Sequence, residues 1–505
     1  MRATPLIAVS AAALAAALTV STIPADSQEP EPDPGGDFAA SIDWEPCEAD
    51  PTADCGVMDV PLEWDDPGGE TIGINVTRRP AENPDERVGS LVVQAGKASP
   101  SALVVLYMPE FLGQELRDKF DIVGFDLRGV GFSSPLVCDE ELVEAKPDSY
   151  LESGREFREL VDYNQRLRDD CVERNGDLYS NVDTLSVVRD VDALRGALGE
   201  DRLDFLGFSY GSFIGAQYAE EYPDRVRTLA LDSNVDHSLD VVDWVGLKAE
   251  MMQDLFEKFV EWCEGDERCA LYGSDVREVW HSVMDRADRG ELSFTGDPEH
   301  EVTAYDVVSG LFHCGYGPNW TATADYLASL HETGVAEGLP CPSEDDDDGE
   351  TPVEIPDTDG YMIANFCSDY ALPVRNFGQW QRLIETAGER YAPDVRFHPN
   401  ALDRIRDCLS LEDGVVNPQH ELEVETDAPI LLVNARYDPI TGHNTAVRIA
   451  EQIGDEAFLL TYEGAVHGAY GTWSGSDCVT EAMHRYLVDR ELPEVDSCPE
   501  VPYEP

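Results

Sequence analysis

Short apolar runs separated by stretches of helical spacing organise the first half of the chain. Residues 56–62 and 71–79 read as strands joined by the turn signal Asp65-Asp-Pro-Gly-Gly69. Residues 90–94 form a continuous apolar run, which predicts a buried central strand. A helical stretch to about Lys119 leads into another strand at 120–126. Over 184–199, Leu185, Val188, Val191, Leu194 and Leu198 recur at helical spacing and the segment ends in Gly199. A strand at 203–206, a helix from Tyr210 that closes near Tyr222-Pro223, and a strand at 226–231 follow. Strands alternating with helices at this spacing predict an α/β fold with a mostly parallel central sheet and helices on both faces.

From about Asp236 the alternation stops. Helical patterns cover 242–262, 276–289, 304–311, 320–337 and 377–392, broken by the acidic run 344–348, which reads as a solvated loop. The sheet pattern resumes at 429–433, followed by a helix at 443–453, a strand at 458–462 and a helix at 479–489. The predicted organisation is therefore a core in two parts, 38–235 and 428–505, with a large helical lid inserted at 236–427. Ahead of it, Arg2, an apolar run over 6–20 and small residues to Ala25 have the layout of a secretory signal peptide, 1–25. Residues 26–37 are rich in Pro, Glu, Asp and Gly and read as a disordered leader. No later stretch reaches membrane-spanning length, so a secreted, soluble monomer is expected.

Composition sharpens this picture at two points. Acidic residues number 102 against 35 basic ones, a formal charge of −67, and lysine occurs only at 97, 119, 146, 248 and 258. Such a charge repels nucleic acid and anionic membrane, which removes both as expected partners. The acids are spread evenly along the chain, which predicts adaptation to high salt, where ions screen the self-repulsion. The twelve cysteines, with an export signal, predict up to six disulfides. Sequence does not fix their connectivity. Proximity suggests Cys47 with Cys55 and Cys263 with Cys269; Cys138 with Cys171, Cys367 with Cys408 and Cys478 with Cys498 are plausible longer links, leaving Cys314 with Cys341. No C-x-x-C pair or clustered histidine points to a metal, and no cofactor is expected.

The candidate chemistry centres on Gly207-Phe-Ser209-Tyr-Gly211, set between a strand and a helix. Glycines two before and two after the serine permit a strained turn that lifts its hydroxyl clear of the sheet. A serine alcohol needs a base, and the base needs an acid to orient it. Of the ten histidines, His467 follows a strand in Glu463-Gly-Ala-Val-His467-Gly, at the sheet end where α/β folds bind ligands. Asp438, in Asn434-Ala-Arg-Tyr-Asp438-Pro-Ile-Thr441, follows a strand lying between serine and histidine; Asp232 is the second choice of acid. An oxyanion hole needs two main-chain N–H groups, which the order of elements assigns to Tyr210 and Lys97.

Several of these segments together resemble a known family. Cys55-Gly-Val-Met-Asp-Val-Pro-Leu62, Asp126-Leu-Arg-Gly-Val-Gly-Phe-Ser133, the Ser209 elbow, Tyr222-Pro-Asp-Arg-Val226, Asp438-Pro-Ile-Thr441 and Gly464-Ala-Val-His-Gly468 look like the secreted tripeptidyl aminopeptidases of actinobacteria. These are α/β-hydrolase serine peptidases related to prolyl aminopeptidases. The resemblance implies Ser209 as nucleophile, Asp438 as triad acid and His467 as base, acting on free N-termini of peptides. Two segments depart from the family. Its glycine-rich G-G-P-G-G-S-G loop is here Gly96-Lys-Ala-Ser-Pro-Ser-Ala102, and Leu411 and Glu412 stand where a tryptophan-proline pair is usual. Aminopeptidase activity calls for an acid that holds the substrate ammonium; Asp369 is a candidate, although composition alone makes it a solvated carboxylate. The same triad also suits a carboxylesterase, and a binding protein on a decayed hydrolase scaffold is the alternative from another class.

Overall fold

Ten strands form the main sheet among the described residues, and the continuous apolar runs of the sequence occupy its middle. In chain order the strands of the first half are β1 (Glu45–Pro46), β2 (Asp54–Pro61), β3 (Thr71–Arg79), β4 (Gly89–Gln94), β5 (Phe120–Phe125), β6 (Leu203–Phe208) and β7 (Val226–Asp232). Then come β8 (Ser293–Phe294), β9 (Asp297–Glu301), β10 (Val335–Ala336), β11 (Ile430–Ala435), β12 (Ala457–Tyr462) and β13 (Ser497–Cys498). The order across the sheet is β1-β2-β3-β5-β4-β6-β7-β11-β12-β13. β1, β2, β3 and β5 pair antiparallel in turn; every pairing from β5 through β4 to β13 is parallel. All residues of β4, β6 and β11 are buried, as strands covered by helices on both faces must be. The computed structural model describes residues 38–502 apart from 97–98, 148–149, 296, 312–316, 318, 341–358 and 412–413. The expected signal segment 1–25, the expected leader 26–37, Lys97, Glu412 and the suggested Cys314–Cys341 pair lie outside the described residues.

Two buried acids fasten the segment Asp126 to Ser133 at the sheet's C-terminal edge. Asp126 accepts hydrogen bonds from Asn75 Nδ2 at 3.0 Å and from the N–H groups of Ala102 and Phe132, both at 3.1 Å. Arg128, fully buried, forms a fork with Asp190 at 2.6 and 2.7 Å and donates to the carbonyls of Leu62 and Asn181. A buried guanidinium is tolerable only when paired and hydrogen-bonded to this extent. The pair ties the loop after β5 to the helix Thr184–Ala197 and the end of β2.

Between β7 and β11 the chain runs through the helices Val241–Gly265, Val276–Ala287, Ala304–Ser309, Trp320–Thr333, Asp359–Asp369, Phe377–Arg390 and Pro399–Asp407. Two details differ from the pattern read in the sequence. The helix expected over 320–337 stops at Thr333, because Gly334 adopts φ +79° and closes the last turn through its N–H to Leu330. The residues after it form β10, which pairs with β8, itself paired with β9, so this region carries a small three-stranded sheet among its helices. A helix at Gly154–Asn175, which the apolar pattern did not single out, is fixed at its start by reciprocal Ser153 and Glu156 caps.

Candidate active site

The β6 strand ends at Phe208 and the helix Tyr210–Glu221 begins at once, leaving Ser209 alone in the turn at φ +54°, ψ −116°. For a residue with a Cβ this conformation stores strain that the surroundings must impose. Both flanking glycines are required by close approach. A Cβ on Gly207 would stand 2.4 Å from the Gly211 carbonyl oxygen, and one on Gly211 would stand 2.6 Å from the Gln94 carbonyl oxygen. The Ser209 N–H is held by the Asp232 carbonyl of neighbouring β7 at 2.9 Å. Its own carbonyl accepts from the N–H and hydroxyl of Ser212 at 2.9 and 2.6 Å. The helix that starts here is buried over its first ten residues, so the turn has no room to relax.

Asp438 follows β11 and His467 follows β12; the structure brings them together. His467 Nδ1 lies 3.0 Å from Asp438 Oδ1 and 3.1 Å from Oδ2. The carboxylate is fully buried and saturated. Oδ1 accepts the N–H groups of Ile440 and Thr441, each at 2.8 Å, and Oδ2 accepts the hydroxyls of Ser233 at 2.8 Å and Thr441 at 2.9 Å. Burial by itself would raise the Asp438 carboxyl, but His467 and these donors hold it below its ordinary value, so it is an anion at neutral pH. Ser209 and His467 line one cavity of 360 Å³, walled also by Tyr210, Phe213, Trp244, Asn365, Phe366 and Tyr370. An imidazole oriented by an anion and sharing a mostly apolar cavity with a strained serine can withdraw a hydroxyl proton, and the cavity can shelter an acyl intermediate.

Asp232, the alternative acid, has a different position. Its Oδ2 accepts the N–H groups of Ala469 at 2.8 Å and Tyr470 at 2.9 Å, and so anchors the loop that carries His467. Burial pushes its carboxyl up to about 6, the two amides offset part of the rise, and the nearby Asp438 charge adds to it. Ser233, next in the chain at φ +61°, donates to Asp438 and accepts the Gly468 N–H at 2.7 Å. Sequence reasoning missed Ser233 and Thr441, although Thr441 stands inside the motif that identified Asp438.

Of the oxyanion candidates, Tyr210 opens the helix, and its ring hydroxyl is held by Thr184 Oγ1 at 2.6 Å and Asn365 Nδ2 at 2.9 Å. In the loop after β4 the Ala95 N–H is taken by Ser101 Oγ at 3.0 Å and the Gly96 N–H by Gln94 Oε1 at 2.6 Å.

Asp369 is not the solvated carboxylate that composition suggested: it is 1% exposed and lines the cavity. Oδ1 accepts the Thr184 N–H and Asn417 Nδ2, both at 2.9 Å, and Oδ2 accepts the Thr184 hydroxyl at 2.6 Å. These partners are neutral. Burial, with Asp183 nearby, therefore pushes the carboxyl up to about 7. Asn365 Oδ1, on the same helix, and the hydroxyl of Tyr370, the residue after it, are buried with no hydrogen-bond partner among the described residues.

Disulfides join Cys47–Cys55, Cys138–Cys171, Cys263–Cys269, Cys367–Cys408 and Cys478–Cys498, and no cysteine among the described residues is free. No group of three or more His, Cys, Asp or Glu among the described residues is placed to hold a metal, and no described helix is long and apolar enough to cross a membrane.

Comparison with known proteins agrees with this geometry. A family model described as alpha/beta hydrolase fold matches residues 99–298, and one described as TAP-like protein matches residues 394–498. The chain is 27% identical to the serine protease Hip1 of Mycobacterium tuberculosis over 90% of its own length and 89% of that protein. It is 26% identical to the tripeptidyl aminopeptidase of Streptomyces coelicolor, covering 89% of this chain and 84% of that one. Carboxylesterase B of Mycobacterium tuberculosis is 28% identical, with coverage of 88% and 85%. With family models over residues 99–298 and 394–498 and relatives matched over most of their length, the chain is a serine peptidase of α/β-hydrolase fold, similar to the tripeptidyl aminopeptidases.

Proposed function

We propose that this serine hydrolase is an exported aminopeptidase that releases short peptides or single residues from free N-termini. Ser209 attacks the scissile carbonyl while His467 takes its proton, and Asp438 steadies the imidazolium that forms. His467 then protonates the leaving amine and activates the water that hydrolyses the acyl-enzyme. The observation that carries this reading is the buried His467–Asp438 pair sharing one cavity with a serine at a strained strand-to-helix turn. The N–H groups of Tyr210 and Lys97 form the oxyanion hole, a reading supported by the commitment of the Ala95 and Gly96 amides to other acceptors.

Asp369 receives the substrate ammonium. A buried carboxyl whose partners are all neutral lacks a cation, and the unpartnered Asn365 Oδ1 and Tyr370 oxygen beside it are the further acceptors an ammonium needs. Residues 236–427 act as the lid that brings Asp369 and Asn365 over the mouth of the sheet. Export rests on the sequence pattern of 1–25 and on the disulfides. The acidic charge disfavours nucleic acid and anionic membrane as partners, and the protein works as a monomer.

A fluorophosphonate probe should label the protein, and Ser209→Ala should abolish labelling. Absence of labelling on the intact protein would leave a binding protein on a decayed scaffold. Peptide anilides with free N-termini should be cleaved, and their N-acetylated counterparts should not. A second reading, carboxylesterase, is favoured by the relative of that name; turnover of nitrophenyl esters without turnover of any peptide would select it.

A further inference from the structure

Two cations face the same cavity from two helices that lie between β7 and β11. Lys248, on Val241–Gly265, and Arg404, on Pro399–Asp407, both line the wall that holds Ser209 and His467. The placement is unexpected in a chain with five lysines and a charge of −67. Lys248 is 7% exposed; its Nζ donates to the Ile440 carbonyl and lies 5.2 Å from the centre of the Trp244 ring. Among the described residues it makes no ion pair. Arg404 stacks at 5.9 Å over Phe366, and its only ion pair among the described residues is a long one, 3.6 Å, to Asp407. Asp407 is already shared with Lys146 at 2.7 Å, so two cations compete for one carboxylate.

The acids of the wall, Asp236 and Asp369, and the nearby Asp438 do not offset these cations. Asp236 is paired with Arg448 at 2.8 Å, Asp438 with His467, and Asp369 is bonded to Thr184 and Asn417. Burial accordingly pushes the Lys248 ammonium down to about 8, with Asp438 opposing the fall and Arg404 adding to it. A buried ammonium with one carbonyl and one ring for company, next to a guanidinium with one distant partner, is a site short of an anion.

We propose that Lys248 and Arg404 bind a carboxylate carried by the substrate, so that the enzyme selects peptides, or esters, bearing an acid group close to the scissile bond. The proposal rests on the serine-hydrolase reading of the cavity and names what that cavity selects. The carboxylate has two sources, an Asp or Glu side chain or the free C-terminus of a short peptide. With Asp369 holding the ammonium, the second source makes the substrate a short zwitterion.

Binding to the full-length Ser209→Ala protein, measured by calorimetry, separates this from the chemistry. Two ligand pairs are compared: tripeptides with a C-terminal carboxylate against the same tripeptides as amides, and C-terminally amidated tripeptides containing Asp against those containing Asn. The acid member of at least one pair should bind about 10-fold more tightly, a preference that one charge-assisted contact supplies. Adding Arg404→Gln should erase most of that preference, and Arg404→Lys should restore part of it. Equal affinity within both pairs overturns the proposal, as does a preference that survives Arg404→Gln unchanged. Fluorophosphonate labelling of the unsubstituted protein tests serine catalysis independently, so failure of one reading does not pass for failure of the other.

Discussion

Ser233 shows how much of this site depends on residues that do no chemistry. Its hydroxyl is fully buried and bridges the Asp438 carboxylate to the Gly468 N–H, linking the loops after β11 and β12 through the end of β7. Ser233→Ala removes a donor to the acid and strands a buried N–H, a loss on the order of 1–3 kcal/mol. We expect a lower Tm and a kcat reduced about 10-fold, with KM little changed, because the bridge orients His467 through its neighbours and touches no substrate. A Tm loss with unaltered kcat would make the contact structural only. This residue could not have been read from the sequence, since its partners lie 205 and 235 positions away. Ser209, Asp438 and His467 stood out as candidates because each carries a local signature, a turn after an apolar strand. Asp232 carries the same signature and was open as the acid; only the register of the sheet, which aims it at the Ala469 and Tyr470 amides, gives it a different task.

At the scale of elements, the helix Asp359–Asp369 joins the inserted region to the core. Asn365 reaches Tyr210 and the Val182 carbonyl, Asp369 caps the start of the helix Thr184–Ala197, and the Cys367–Cys408 disulfide secures the end of the next helical pair. A pH dependence belongs to this element. Asp369 has its carboxyl raised to about 7 in the folded protein, above the ordinary 3.8 of an unfolded aspartate. The unfolded chain therefore loses its proton first, and this group's contribution to stability falls as pH rises from about 4 towards 7. If Asp369 holds the ammonium, binding runs the other way: KM for peptides with free N-termini should fall as pH climbs through about 7. Asp369→Asn should flatten both trends, while ester substrates without an amino group should show no such fall in KM; Tm and KM measured against pH decide it. The helix itself was not foreseen in the sequence, and neither was Gly154–Asn175. In the latter the buried Phe157, Leu160, Tyr163 and Leu167 are separated by charged residues that dilute the apolar signal, although the Ser153 and Glu156 caps were visible. Strands of two residues such as β8 and β10 are shorter than any periodicity can register.

For the molecule as a whole, the alternation of strands and helices foretold a parallel sheet, and the charge foretells how that sheet responds to salt. With 102 acids and 35 basic residues, even complete pairing of every cation leaves 67 carboxylates unmatched. Exposed ion pairs such as Arg155–Glu159 and Arg289–Glu291 contribute little and weaken in salt. Repulsion among the excess acids weakens as well, and it outnumbers them. Stability should therefore rise with NaCl, most steeply at low concentration, because the screening length shrinks from about 10 Å at 0.1 M to about 3 Å at 1 M and has little further to fall. General salting-out of apolar surface instead continues to grow as more salt is added. A Tm series by calorimetry from 0.1 to 3 M NaCl, with sucrose as an uncharged comparison, distinguishes the two. A steep early rise that levels near 1 M, absent in sucrose, marks relief of charge repulsion. A flat or falling curve would mean that the carboxylates are already far enough apart in dilute buffer, and that the acidity serves solubility alone.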